Sequence, residues 1–228
     1  MPGTYGAETT QDEQRYRLSF TVGGLLAPQG CILATMLMDD EDDTAATGAA
    51  LPGDDDELGE RVTRIRRQAI DDNALAIRTR AANSRMVSEV SKRLSALTVR
   101  ELRHLADPDT PMADCRTLMW VAMCRYYAII GEFAHDVLRD RYLLGMPTVT
   151  YVDYDRFMTG RAMWHPELEE LSTATAAKLR SNLFKALDDA ELVNKTGNTL
   201  QSALLGASMT SILEHRPESF LFLPIREH

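Results

Sequence analysis

The sequence is poor in cysteine and has no long apolar run. Its three cysteines, Cys31, Cys115 and Cys124, form an odd, sparse set in apolar surroundings. Such a set favours reduced thiols in a cytoplasmic protein over a disulfide framework. The most membrane-like run, Leu118 to Ile130, is 13 residues long and contains Arg125. Because a spanning helix needs about 20 apolar residues, we expect a buried core helix and no membrane partner.

Recognisable catalytic and metal-binding motifs are also missing. The chain has no Gly-x-Ser-x-Gly nucleophile motif, no Walker loop and no His-Glu-x-x-His pair. Its five histidines are scattered, and none lies at ligand spacing to a cysteine. Asp153 and Asp155 lack partner carboxylates, so helix capping explains them better than nuclease chemistry. We therefore predict a protein that is not an enzyme and that has no metal and no cofactor.

Charge is distributed unevenly along the chain, whose formal net charge is -9. From Glu8 to Glu60 there are 13 acidic residues against two arginines, whereas Arg61 to Arg103 holds 11 basic residues against four acidic ones. A basic segment of this kind can follow a phosphate backbone, or its arginines can pair with the acidic stretches of the same chain. Both interpretations stay open. Lys92 and Arg93 are expected on the exposed side of their helix. The candidate DNA-binding arginines of this segment are Arg61, Arg64, Arg66, Arg67, Arg78, Arg80 and Arg85.

Composition divides the chain into three parts. Residues 1–14 are expected to form a flexible arm, and residues 15–147 a helical domain that includes a solvated acidic loop at 39–59. Thr98 and Glu101 have the spacing of a capping box and predict a short helix. Thr110-Pro111 is expected to cap the long apolar helix that follows, and Gly131 to break or bend that helix. Gly145-Met146-Pro147 ends the helical part, and residues 148–228 form the second domain.

The clearest pattern lies between Tyr151 and Gln201. Three short helices followed by a two-stranded hairpin are predicted there, which is the order of a winged helix-turn-helix. The third helix has capping hydroxyls at Ser172 and Thr173, and its apolar residues recur at steps of three and four. The second helix, beginning at Pro166, is expected to present Glu167, Glu169 and Glu170 outward. Thr196-Gly197-Asn198 predicts the hairpin turn, hence a wing.

The polar face of the third helix carries cationic and amide groups suited to phosphate and base-edge contacts. Many small helical domains end in a capped helix and a hairpin without binding nucleic acid, so this pattern alone does not decide the function. The candidate DNA-binding residues on this helix and the wing are Lys178, Arg180, Ser181, Asn182, Lys185, Lys195 and Asn198.

Several stretches resemble the BrxA family of BREX (bacteriophage exclusion) phage-defence systems. The likeness covers most of the chain after the first dozen residues, and it is most specific between His165 and Val193. The residues that carry it are Tyr16-Arg17-Leu18-Ser19-Phe20-Thr21, Gly23-Gly24-Leu25-Leu26, Arg93-Leu94-Ser95-Ala96-Leu97, Pro166-Glu167-Leu168, Leu171-Ser172, Thr175, Lys178-Leu179-Arg180 and Leu187.

The resemblance implies a mainly α-helical protein, with a NusB-like helical N-terminal domain joined to a winged-helix domain. It also implies a non-enzymatic accessory protein of a BREX system that binds double-stranded DNA, alongside other BREX proteins. The helix-face residues fit low sequence specificity. Two alternatives remain: an adaptor that uses the winged helix to dock proteins of the defence complex, and a NusB-like factor that binds RNA.

Overall fold

In a computed structural model, which describes residues 15–46 and 55–226, the fold is mainly helical. The described residues form ten α-helices and one small sheet. The helices are α1 Ala27–Ala46, α2 Asp55–Asp71, α3 Arg80–Leu94, α4 Val99–Ala106, α5 Met112–Tyr126, α6 Ala128–Phe133, α7 Asp140–Leu143, α8 Tyr151–Ala162, α9 Thr173–Asp189 and α10 Ala207–Leu213. A π-helical turn, Ala134–Arg139, joins α6 to α7, and 3-10 turns cover Pro166–Leu168 and Pro217–Phe222.

The core is built around α5, whose residues from Leu118 to Cys124 are all buried. Helices α1, α3 and α4 pack against it and against one another. The C-terminal 3-10 turn closes this core, because the indole N–H of Trp120 donates to the carbonyl oxygen of Phe222 at 2.8 Å. The interpretation of Leu118 to Ile130 as buried helix is therefore confirmed, with one interruption.

That interruption lies at Tyr127, so the prediction of a break at Gly131 was wrong. The backbone of Tyr127 is extended (φ -109°, ψ 92°), and α6 starts directly after it. Gly131 lies inside α6 and serves a packing role, since an added Cβ would lie 2.9 Å from the carbonyl oxygen of Cys124. Periodicity could not locate the break, because apolar residues continue on both sides of Tyr127.

Two helix starts illustrate how far local sequence determines this fold. The predicted capping box of α4 is confirmed: the Thr98 hydroxyl accepts from the Glu101 amide, and the Glu101 carboxylate accepts from the Thr98 amide. Thr110, by contrast, was expected to cap α5 and does not. Its hydroxyl donates to the carbonyl oxygen of His104 at 2.6 Å, and Pro111 occupies the N-cap position without a side-chain bond.

The acidic stretch is more helical than we predicted. Helix α1 continues through Asp39 and ends at Ala46, and α2 already begins at Asp55. Residues 47–54 and the N-terminal arm, 1–14, lie outside the described residues. The apolar positions before Asp39 anchor α1 in the core, and the helix extends beyond them into the acidic run.

A small sheet follows α9. Strands β1 (Val193–Asn194) and β2 (Thr199–Leu200) form the predicted antiparallel hairpin. The segment 147–149 pairs with β2 on its other side, since the Val149 amide donates to Asn198 and the Leu200 amide donates to Pro147, both at 2.9 Å. The boundary that we predicted near residue 147 falls in this third extended segment and stays a prediction.

Candidate nucleic-acid interface

Helix α9 has the bounds expected from the sequence. The Ser172 hydroxyl accepts from the Thr175 amide at 3.2 Å and caps its first turn. Leu179, Leu183, Ala186 and Leu187 are buried and form the inner face. The predicted second helix is shorter than expected and consists of the single 3-10 turn Pro166–Leu168. The order of elements is therefore helix, short turn, helix and hairpin.

We call the exposed side of α9 the outer face and define it by Ala174, Ala177, Lys178, Ser181 and Lys185. Within the described part of the chain, neither Lys178 nor Lys185 has a hydrogen-bond or ion-pair partner. Three of the five residues are small, so a large rigid ligand can approach the helix backbone closely. The structure thus gives Lys178, Ser181 and Lys185 the exposure that we predicted.

Arg180 lies at the edge of the outer face and is held by α8. Its guanidinium pairs with the Asp155 carboxylate and lies over the Tyr151 ring, 4.8 Å from the ring centroid. Its side chain keeps 29% of its accessible surface. This arrangement fastens α8 to α9, so a base contact by Arg180 would require the ion pair to open.

Asn182 is the clearest correction among the predicted site residues. Its side chain is 3% exposed, and its amide donates to the carbonyl oxygen of Phe20 at 3.0 Å. Asn182 lies beside the outer face, as its position in the helix predicts. Another segment of the chain covers this side of α9, so the prediction that Asn182 is exposed was wrong.

The covering segment comprises residues 15–26, which we call the strap. It contacts α9 through Asn182 and also at Asp189, whose carboxylate accepts from the Leu25 amide at 2.9 Å. Gly24 has φ +85°, and an added Cβ there would lie 2.5 Å from an Asp189 carboxylate oxygen. Both its backbone conformation and the close approach therefore require glycine at this position.

The first residues of the strap are fixed by Glu167 and Glu132. The Tyr16 amide donates to Glu167 at 2.7 Å, the Tyr16 hydroxyl donates to Glu132 at 2.7 Å, and the Tyr16 ring stacks on His165 at 3.9 Å. Glu167 is 7% exposed, so the prediction that it points outward was wrong. Glu169 and Glu170 are exposed as expected.

The other end of the strap is held by a buried ion pair on α3. Arg93, 0% exposed, donates to the carbonyl oxygens of Gly24 and Leu25 at 3.0 and 2.8 Å and to Glu89 at 2.9 Å. The Tyr127 hydroxyl also donates to Glu89, at 2.8 Å, and burial raises the pKa of Tyr127. We had expected Arg93 on the exposed side of its helix, which was wrong.

On the wing, Lys195 is exposed and Asn198 is partly buried. Asn198 has φ +50°, a conformation that asparagine tolerates in turns, and its carbonyl accepts from Val149. Lys195 therefore extends the cationic surface of α9, whereas Asn198 mainly shapes the turn.

The arginines of the basic segment differ widely in their surroundings. Arg61 is buried and donates to the carbonyl oxygen of Leu37. Arg66 donates to Ser88 at 3.1 Å, Arg80 pairs with Asp71 at 2.9 Å, and Arg85 donates to Ala81 at 3.2 Å. All members except Arg61 are exposed, namely Arg64, Arg66, Arg67, Arg78, Arg80 and Arg85. Of these contacts, the one of Arg80 is a pairing with an acidic residue of the same chain.

A cleft of about 490 Å³ lies between α9 and the helices α3 and α5. Lys185 and Asp189 of α9, Met86 of α3 and Arg116 of α5 all border it. Lys92, which we did not predict as a site residue, donates to the Ser19 hydroxyl of the strap at 3.1 Å. No local pattern in the sequence indicates this contact, because Lys92 and Ser19 are 73 positions apart.

Two kinds of site are not found among the described residues. No group of three or more His, Cys, Asp or Glu side chains there could hold a metal ion. None of the helices in residues 15–46 and 55–226 is both long and apolar enough to cross a membrane.

Comparison with known proteins identifies the family. The model of the BrxA family matches residues 57–216. The chain belongs to the BrxA family. The resemblance that we inferred from the residues is thus confirmed, and membership relates the chain to BREX phage-defence systems.

A solved structure supports the fold of this BrxA-family chain. An uncharacterized protein from Magnetospirillum magneticum is similar with a TM-score of 0.68 and 17% sequence identity. The similarity covers 91% of this chain and 96% of that chain. At this identity the likeness concerns the fold alone. No curated protein matches the sequence.

Proposed function

We propose that the chain is a non-enzymatic accessory protein of a BREX system that binds double-stranded DNA with low sequence specificity. The observation that carries the proposal is the outer face of α9, where the exposed Lys178 and Lys185 accompany the small side chains of Ala174, Ala177 and Ser181. Unpaired cations can neutralise phosphates without first breaking an internal ion pair. The small residues beside the lysines leave room for a groove edge.

The elements around α9 support a winged-helix interpretation. Helix α8, the 3-10 turn, α9 and the hairpin follow one another in the order of a helix-turn-helix with a wing. The segment 147–149 adds a third extended strand next to β2, as a winged helix requires. In this arrangement α9 enters the major groove and Lys195 contacts the backbone beside it. The helical part before residue 147 then corresponds to the NusB-like domain that the family resemblance implies.

Low specificity follows from the bonds of the polar side chains on α9. Asn182 is committed to the strap and Arg180 to Asp155, so Ser181 is the free base-reading group on this part of the helix. A single serine discriminates bases weakly compared with a bidentate arginine or asparagine. We therefore expect an affinity that depends strongly on salt and little on sequence.

Fluorescence anisotropy of a random duplex of about 30 base pairs, titrated at several salt concentrations, tests this proposal. We expect the logarithm of the affinity to fall linearly with the logarithm of the salt concentration. Each phosphate that is neutralised contributes about 0.9 to the slope. Absence of binding at low salt would refute the proposal for the isolated protein, and stronger competition by RNA would favour the RNA-binding alternative.

Charge reversal locates the surface that binds. Lys178→Glu combined with Lys185→Glu should weaken binding to all duplex sequences by about 100-fold, since each substitution turns an attraction to phosphate into a repulsion. Arg100→Glu with Arg216→Glu makes the same change of net charge on exposed residues of another surface, beside His215 and Glu218. If both double variants lose affinity equally, the effect reflects net charge and α9 is not the interface.

A second function is favoured by an apolar groove between α8 and α9. The groove has a volume of about 560 Å³ and is lined by Met158, Leu168 and Leu171. Met163 beside it is 78% exposed, and the neighbouring Trp164 is 80% exposed. Exposed apolar side chains at a groove are typical of protein docking. A protein partner that survives nuclease treatment on co-purification, and that Trp164→Ala releases, would support the adaptor function.

A further inference from the structure

Cys31 on α1 and Cys115 on α5 lie at the close crossing of these two helices, where each thiol influences the pKa of the other. Cys31 is partly exposed to solvent, whereas Cys115 is buried. The two residues are far apart in sequence, and the packing of α1 against α5 brings them together. A solvent-reachable thiol in contact with a buried one is the arrangement from which an intramolecular disulfide can form.

The crossing of the two helices is close at this point. Gly30 of α1 has no side chain, and an added Cβ would lie 2.5 Å from the sulfur of Met119 on α5. Cys31 follows Gly30 directly, and Cys115 lies four residues before Met119, on the same face of α5. The glycine therefore lets the helix backbones approach where the thiols meet.

We propose that Cys31 and Cys115 form a reversible disulfide when the protein meets a hydroperoxide, which makes this pair an oxidative modification site. The proposal is independent of DNA binding. It extends the prediction of reduced thiols, since it concerns what two of those thiols do under an oxidant. Cys124 takes no part, because it lies nine residues, or about 13 Å, along α5 from Cys115.

The two thiols differ in the way that such a reaction requires. The hydrogen bond from Cys115 lowers the pKa of Cys31 against the opposing effect of burial. The same hydrogen bond, together with burial, raises the pKa of Cys115, which therefore stays protonated. The thiolate is the reactive form of cysteine, so the partly exposed Cys31 is the residue that an oxidant meets first.

The chemistry balances with hydrogen peroxide as the oxidant. The Cys31 thiolate attacks one peroxide oxygen, the O–O bond breaks, and Cys31 becomes a sulfenic acid while hydroxide leaves. The Cys115 sulfur then attacks the Cys31 sulfur, the S–S bond forms, and the hydroxyl group leaves with the Cys115 proton as water. Two thiols and one hydrogen peroxide thus give one disulfide and two waters.

Peptide mapping of the full-length chain tests the pairing directly. The reduced protein is treated with hydrogen peroxide, blocked with N-ethylmaleimide and digested with trypsin without reductant. Trypsin separates the three cysteines into the peptides 18–61, 104–116 and 117–125. We expect a cross-linked species of 18–61 with 104–116, whose amount returns to zero after dithiothreitol. Three alkylated cysteines, a link that includes 117–125, or a disulfide-linked dimer would overturn the proposal.

Single variants make the result specific. In the denatured protein, wild type should fall from three free thiols to one on oxidation, and Cys124→Ser should fall from two to none. Cys31→Ser should keep two, whereas Cys115→Ser should form no cross-linked peptide, because oxidation of Cys31 then stops at the sulfenic acid. Oxidised wild type should melt about 5 °C above its reduced form, because the bond closes a long loop, and Cys31→Ser should show no such shift. Loss of two thiols in Cys31→Ser would contradict the assignment.

Discussion

The two polar surfaces of α9 differ in whether another segment of the chain is bonded to them. One flank, formed by Asn182 and Asp189, is bonded to the strap, whereas the outer face with Lys178, Ser181 and Lys185 has no such cover. Both surfaces look alike in the sequence, since polar residues occupy them at helical spacing. A polar residue on a helix avoids the core, but its polarity does not show whether it remains available to a ligand.

Substitutions on the two surfaces should therefore have different effects. Residues that seat the strap hold distant parts of the chain together and should act on stability. Residues of the outer face contribute little to the fold and should act on binding. Four changes test this separation, two of them at adjacent positions of α9.

The largest effect is expected at the anchor of the strap on α3. Glu89→Leu leaves the fully buried guanidinium of Arg93 without its carboxylate, so the free energy of unfolding should fall by about 3–5 kcal/mol in urea denaturation. Asp71→Ala is the control, because it removes the partner of Arg80 in a pair whose side chains are 77% and 65% exposed, and it should cost less than about 1 kcal/mol. Equal effects would mean that the anchor does not stabilise the fold.

Asn182→Ala probes the covered flank of α9. The change removes the donor to the Phe20 carbonyl oxygen, and the free energy of unfolding should fall by about 1–3 kcal/mol. The DNA affinity of the folded variant should stay within about twofold of wild type, because a buried amide contacts no ligand. A large loss of affinity with unchanged stability would place Asn182 in the interface after all.

Ser181→Trp probes the outer face one residue earlier. A bulky ring among the small side chains should hold DNA away from α9 and weaken binding about tenfold, which corresponds to about 1.4 kcal/mol. Stability should change by less than about 0.5 kcal/mol, since the position is exposed. Ser208→Trp places the same ring at an exposed position of α10 and should leave the affinity unchanged. Anisotropy and urea denaturation measure the two quantities.

The smallest effect concerns Glu167 and depends on pH. Burial raises the pKa of this carboxyl, but hydrogen bonds from the Tyr16 and Glu167 amides and from His165 outweigh it, so the pKa lies below the ordinary value of 4.5. A depressed pKa stabilises the fold above about pH 4.5, and this contribution is lost as pH falls through the folded-state pKa.

Wild type should therefore exceed Glu167→Gln in unfolding free energy by about 1 kcal/mol at pH 7. The difference should narrow as the pH falls below about 4.5 in a series of denaturation curves. A gap that does not narrow in acid would show that the Glu167 carboxylate does not stabilise the strap.

The cationic residues before α4 show the same limit of sequence reasoning. Arg61 and Arg93 were both expected on solvent faces, yet both are buried and donate to backbone carbonyl oxygens of other segments. Helical spacing correctly predicted the direction in which each arginine side chain leaves its own helix. It contained no information about the strap that fills the space beside α3, because the strap lies 69 positions before Arg93 in the sequence.

Local sequence accounts for the helix starts, the caps and the hairpin of this protein. The bounds of α9, the Ser172 cap, the capping box at Thr98 and the hairpin after Leu192 depend on residues within a few positions of one another, so they follow from short-range physics. Which polar residues other segments of the chain cover depends on tertiary packing. Asn182 meets Phe20 across 162 positions, Glu167 meets Tyr16 across 151, and Arg93 meets Gly24 across 69. Contacts at such separations depend on the packing of the whole chain, which no local pattern encodes.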